Sequence, residues 1–280
     1  MKTILVPCED HDRMPAMLEA ALLVARAFGG YLEGVAVRPL AAAYVSVEPV
    51  SGLAIPGADQ GEAARQARAQ FEQSMQSHGV PQAPQGSVRE PAELSWGWPR
   101  SEAADDGYIG TYGRVFDLIV LGRPGPSPQH PRMAPLEAAL FESGRPALIV
   151  PERAPATLAR NVLVVWNGST EQARTNAYAL PLLRQAEKVT VLTVEGGTTP
   201  GPSAEDAARH LRRNGIKAAA LTVKPGTRTS GEAILEHAAS LGCDLLVKSA
   251  YTHSRLRQMI FGGATRHILA HAAVPIFMAH

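Results

Sequence analysis

Two periods alternate along this chain. Short apolar runs, suited to buried strands, occupy residues 3–6, 31–37, 117–121 and 147–150, and then 161–166, 189–194, 217–223, 245–247 and 274–278. Between them, apolar residues recur every three or four positions, the spacing of one helix face. The clearest case is 14–28, with apolar residues at 14, 17, 18, 21, 22 and 25 and Gly29-Gly30 to stop it. Helices are likewise expected over 63–78, closed by Gly79, and over 136–142, ended by Gly144. In the later part they are expected over 169–186, 203–214, 229–241 and 264–271. Ser169 is a ready cap for the first of these, with Glu171 and Gln172 in its opening turn. Residues 38–61 are rich in Pro, Gly and Ala, keep no period, and read as a long loop. Over 80–113 a short strand near 92–96 and a helix near 101–114 are expected. Prolines at 124, 126, 128, 131 and 135 predict a loop that no helix interrupts before Leu136.

The pattern runs through twice. Lys2-Thr3-Ile4-Leu5-Val6 reappears as Arg160-Asn161-Val162-Leu163-Val164, and Phe116-Asp117-Leu118-Ile119-Val120 as Cys243-Asp244-Leu245-Leu246-Val247. Arg145-Pro146-Ala147-Leu148-Ile149 is matched by Val274-Pro275-Ile276-Phe277-Met278. The period is close to a whole domain, so this is a tandem duplication, with extra residues in the first copy over 38–61 and 80–113. The expected division is 1–151, a linker over 152–159 with prolines at its edge and centre, and 160–280. Strands alternating with helices imply an α/β fold with a parallel, doubly covered sheet in each half. Such sheets take ligands beyond the carboxyl ends of their strands, where the strand order reverses. That rule marks 7–10 and 122–125 in the first copy, and 166–169 and 249–263 in the second.

Composition narrows the function classes. The chain has 280 residues, 45% hydrophobic and 19% charged, with a net charge of +1, so no global field recruits nucleic acid or a membrane. Aromatic residues make up 5%, too few for a base-stacking surface. No apolar run is long enough to span a bilayer, and the first residues lead directly into a strand, so a cytoplasmic setting is expected. Cys8 and Cys243, the only cysteines, sit at strand edges and give no disulfide framework. No GxSxG, GxxxxGK[ST] or GxGxxG motif is present, so no catalytic residues are assigned.

The last stretch carries the best candidate chemistry. After the strand at 245–247 come a polar loop with Arg255 and Arg257, then Gly262-Gly263, a helix and a final strand. Amides at a helix N-terminus have no intrahelical partners and carry the positive end of the dipole, which suits an anion.

At these residues the chain resembles the universal stress protein (UspA) family in its tandem two-domain form. Ile4-Leu5-Val6-Pro7 is similar to the family's opening strand, and Val162 through Ser169 to its strand ending in Asp-Gly-Ser. Ser249-Ala250-Tyr251-Thr252, nine residues, then Gly262-Gly263 is similar to its nucleotide signature. The resemblance implies two Rossmann-like domains (adenine nucleotide alpha hydrolase-like), each with five parallel strands in the order 3-2-1-4-5. It also implies that the two halves pair through their last strands as a pseudo-dimer. It implies an ATP or AMP site in the second half made by Asn167, Val194, Ser249, Thr252, Gly262, Gly263, Ala264 and Thr265. Ser254, Arg255 and Trp166 add a hydroxyl, a cation and a stacking surface beside it. In the first half the matching residues are Glu9, Gly122 and Gly125, but Pro135 falls where a phosphate-binding amide belongs. Ser249 and Thr252 replace the signature's early glycines and Asn167 replaces its acid, so each half keeps a different part of the site.

Three functions stay open on this reading: a stress-response regulatory module that binds adenine nucleotide, a nucleotide-free interaction module with an unknown protein partner, and a weak nucleotide phosphohydrolase. Whether two chains associate as a homodimer is also open. His267 and His271 stand four apart, a spacing compatible with a metal but without the intervening Glu of HExxH, and no metal site is expected.

Overall fold

The computed structural model describes residues 1–38, 58–83, 93–99, 104–250 and 263–280. The first half runs β1 (Thr3–Cys8), α1 (Met14–Phe28), β2 (Tyr31–Ala36), α2 (Ala58–Ser77), β3 (Ser95–Gly97), α3 (Asp106–Tyr112), β4 (Leu118–Gly122), α4 (Met133–Glu142) and β5 (Ala147–Val150). The second runs β6 (Asn161–Val165), α5 (Thr170–Leu183), β7 (Lys188–Val194), α6 (Ala204–Arg213), β8 (Ala218–Val223), α7 (Ser230–Ser240), β9 (Leu245–Ser249), α8 (Gly263–His271) and β10 (Ile276–Ala279).

The described strands form one sheet in the order β3-β2-β1-β4-β5-β10-β9-β6-β7-β8. Each half is thus a parallel five-stranded sheet in which strand 1 lies between strands 2 and 4. The duplication extends to register: Ile4 pairs with Leu118 in the first half, and Val162 with Leu245 in the second. The two halves meet at an antiparallel seam between β5 and β10, where Ile149, Leu148 and Ala147 face Ile276, Phe277 and Met278.

Alternation along the strands supplies both layers. Ile4, Val6 and Cys8 face α1 and α2, while Leu5 faces the α3 and α4 side. In the second half Val162, Val164 and Trp166 face α5 and α6, and Leu163 and Val165 face α7 and α8. Each of the two cores runs unbroken through both halves, because Leu148 and Phe277 join one and Ile149, Ile276 and Met278 the other.

The repeated Asp ahead of strand four has a clear task. The Asp117 carboxylate accepts from the amides of Lys2 (2.6 Å) and Thr3 (3.1 Å). The Asp244 carboxylate does the same for Arg160 (3.0 Å) and Asn161 (2.9 Å). Each satisfies the first strand's leading N–H groups and ties strand one to strand four, the pair that flanks the crevice.

Several boundaries differ from the sequence expectation. The second helix starts at Ala58, not 63; of the expected loop, residues 39–57 lie outside the described residues. The helix expected over 101–114 is confined to Asp106–Tyr112, with Asp105 as its cap and a single 3-10 turn, Gly113–Val115, after it. The proline-rich loop ends earlier than expected: α4 starts at Met133 and keeps Pro135 in its first turn. There the missing N–H is one that has no helical partner anyway, so the proline costs little.

Trp96 and Trp98 cap the sheet edge. Both are buried against Phe71 of α2, with ring centroids 5.8 and 5.4 Å apart.

Candidate functional site

The crevice of the first half is filled by the chain itself. Glu9, just past β1, accepts from Arg132 Nε at 2.6 Å and also from its Nη2. Arg132 then closes a bidentate pair on Asp106, at 2.9 and 2.7 Å. Burial raises the Glu9 carboxyl above its usual range, and the guanidinium only partly offsets this. Beside it the loop after β4 folds back over the loop after β1. Asp12 N donates to Gln129 O at 3.0 Å, and His130 Nε2 lies 3.6 Å from Asp12 Oδ2.

The two signature glycines of this half make room for that loop. A Cβ on Gly122 would lie 2.6 Å from Pro131 Cγ and 3.2 Å from His11 Cε1. One on Gly125 would strike the His130 ring. His11 is buried with Nδ1 unpartnered among the described residues, and burial lowers its pKa to about 4. Cys8 is fully buried and its thiol is pushed up, so it is a core residue and not a reactive one.

The second half is built differently at the same places. Past β6, Asn167 uses its side-chain oxygen to accept from Ser169 N at 3.1 Å, and Ser169 caps α5 by accepting from Gln172 N at 3.1 Å. The Asn167 backbone carbonyl accepts from Thr199 N at 2.8 Å, and the side-chain amide N–H has no partner among the described residues. Between them Gly168 has φ +81, and a Cβ there would meet Thr199 O at 2.8 Å, so this turn needs glycine on both counts. Val194 ends β7, buried, with its carbonyl accepting from Gly197 N at 3.3 Å.

Beyond β9, Ser249 is 1% exposed and its Oγ has no partner among the described residues, while its N–H donates to Gln172 Oε1 at 2.7 Å. Its neighbour Lys248 is almost fully buried with no acidic partner among the described residues; its Nζ donates to Ser249 O at 3.0 Å. Burial lowers the Lys248 pKa to about 8. At the start of α8, Gly263 is exposed, and a Cβ on it would meet nothing within 4 Å among the described residues; Ala264 is half-buried and Thr265 buried. Thr252, Ser254, Arg255 and Gly262 lie outside the described residues. Trp166 turns its indole away from the crevice toward α5 and α6, its Nε1 donating to Pro202 O at 2.8 Å. Lys248 and Gln172 are the site residues that sequence reasoning missed. A lysine inside an apolar strand run was the available signal for the first; Gln172 had none, since only the fold brings α5 over the end of β9.

The buried cation has a measurable signature. Lys248 ionises normally when unfolded but is depressed when folded, so its penalty is fully present below about pH 8 and relieved as the pH rises toward 10.5. Lys248→Met should therefore stabilise the protein by about 2 kcal/mol at pH 7 and remove the rise in stability between pH 8 and 10.5, as read by urea unfolding across that range.

The sequence profile of the universal stress protein family matches residues 159–280. The second half belongs to the universal stress protein family. A universal stress protein of Synechocystis is 25% identical over 168 residues, 58% of this chain and 57% of that protein's own length. Among solved structures, a universal stress protein from Archaeoglobus fulgidus covers 99% of this chain and 97% of its own, with a TM-score of 0.71 at 16% identity. A universal stress protein described as putative, from Pseudomonas aeruginosa, covers 100% and 93%, with a TM-score of 0.55 at 14% identity. These two likenesses establish that the universal stress protein fold extends over both halves. No helix among the described residues is long and apolar enough to cross a membrane, and no cluster of three or more metal-ligating side chains occurs among them.

Proposed function

We propose that this chain is a stress-response regulatory module in which the second half takes an adenine nucleotide and the first half is its closed partner. The observation that carries this reading is the contrast at α8. Gly263 opens the helix exposed, and a Cβ on it would meet nothing within 4 Å among the described residues, while Leu136, at the matching position of α4, is fully buried behind Pro135. Asn167 has an amide N–H free to meet a ribose or base acceptor, and Ser249 Oγ is a buried hydroxyl in need of a partner. The fit is partial. The Ser249 amide is already held by Gln172, and Asn167 supplies no charge. When bound, the nucleotide brings a polyanion that the α8 amides and Lys248 would neutralise; occupancy would alter the surface offered to a partner protein.

Titration calorimetry with ATP and with AMP tests this. Binding at sub-millimolar concentration is expected. Gly263→Pro keeps the helix start, where proline is accepted, but deletes one donor and should weaken ATP at least about tenfold. No heat with either nucleotide would remove the reading and leave the nucleotide-free interaction module, which the Gln172 bond to Ser249 N favours.

A further inference from the structure

The outer face of the second half carries a groove between α5 and α6. The helices that flank it can be matched between copies without ambiguity. Helices α2 and α6 both end on a glycine with positive φ, Gly79 at 65° and Gly215 at 79°. Both close with the same bonds: Val80 N to Met75 O and Gly79 N to Gln76 O in one, Ile216 N to Leu211 O and Gly215 N to Arg212 O in the other. This register sets Met75 against Leu211, both buried, and Phe71 against Ala207. The strand register that sets Thr3 against Asn161 likewise sets Glu19 of α1 against Ala177 of α5, and Cys8 against Trp166.

The consequence is a hole where the first copy places a phenyl ring. Phe71 is fully buried and touches both Trp96 and Trp98. Ala207 fills a small part of that volume, and Ala177 and Ala173 lower the opposite wall. Trp166 restores some of it from below, yet a cavity of about 340 Å³ remains, with Leu180 and Leu211 at its sides. That volume lies in the range of small-molecule sites, roughly 300–1,000 Å³. The polar side chains of the lining are Asn176, Asp206 and His210, and the Asp206 carboxylate is taken up by Ser203. Asn176 has its oxygen taken by Gln172 Nε2 at 2.9 Å but keeps its amide N–H, and His210 lines the groove from α6. The Trp166 N–H is already satisfied by Pro202 O, so the indole presents itself as an apolar surface.

We infer that this groove between α5 and α6 binds a planar aromatic small molecule carrying one hydrogen-bonding group. The aromatic class follows from what the duplicate copy places at the same position, a phenyl ring against indoles. The hydrogen-bonding group follows from Asn176 and His210 in the lining. The site is separate from the crevice at α8 and takes a different chemistry.

The probe is 2-naphthol, followed by the indole N–H signals of the three tryptophans in a ¹⁵N-labelled sample. A saturable shift of the Trp166 signal is expected, with Trp96 and Trp98 unmoved. Ala207→Phe restores the first copy's residue and should weaken binding at least about tenfold while keeping the Trp96 and Trp98 signals in place. Ala177→Leu narrows the groove from the other wall and should do the same, so the conclusion does not hang on one variant. Absence of a saturable Trp166 shift in the unmodified protein overturns the inference. So does undiminished binding in either folded variant.

Discussion

Phe277→Ala should lower stability by about 3–5 kcal/mol, the cost of truncating a fully buried phenylalanine in a core that cannot collapse around the gap. The ring is 0% exposed and sits in the middle of β10, opposite Leu148 across the antiparallel seam. It belongs to the core that α1, α2, α5 and α6 share, so both halves lose contacts at once. In a chain of this size that loss corresponds to a fall in melting temperature of about 10 °C. Val115→Ala is the control: the residue is 69% exposed and its truncation should stay within about 0.5 kcal/mol. Thermal and urea unfolding of the two variants measure this. A loss below about 1 kcal/mol for Phe277→Ala would mean that the halves do not pack through this seam.

Arg132→Met should cost about 3 kcal/mol at pH 7. The cation lies between Glu9 and Asp106, whose side chains are 13% and 14% exposed, and removing it leaves two carboxylates nearly dry and unpaired. Arg132 itself is 31% exposed, which holds the figure at the low end for a buried pair. The sign with pH is fixed by Glu9. Its folded carboxyl already titrates above its ordinary value because burial outweighs the guanidinium, and loss of the guanidinium raises it further. A folded state that holds its proton more tightly loses stability as pH rises through the carboxyl's folded range. The penalty of the variant should therefore be largest at neutral pH and shrink as the pH falls toward the ordinary glutamate value of about 4.3. Adding Glu9→Gln to Arg132→Met should recover part of the loss at pH 7. A penalty that is the same at pH 7 and pH 4.5 would show that the cluster holds by packing alone.

Much of this architecture is visible in local pattern. The helix over Met14–Phe28 follows from apolar spacing and a double glycine, and Ser169, Ser203 and Thr229 cap their helices as hydroxyl residues do. Other features defeat local reading because their cause is distant. Pro135 is a helix breaker by composition but sits in a first turn, and whether that turn forms depends on Leu136, Ala139 and Leu140 having a sheet to cover. Trp166 looks like a crevice residue because it follows a strand; its parity along β6 sends the indole to the helix face instead. Glu9 reads as a ligand-binding acid at a strand end, and only the return of the loop after β4 brings Arg132 onto it.

By itself the sequence determined the duplication, the alternation of strands and helices, and the crevice positions beyond strands one and four, since each follows from short-range spacing repeated in a second copy. The tertiary structure alone decided that the loop after β4 fills the first crevice, that Gln172 reaches Ser249, and that a groove lies between α5 and α6. Those outcomes depend on side chains far apart in the chain competing for the same volume. That competition is settled when the layers pack, and no local pattern encodes it.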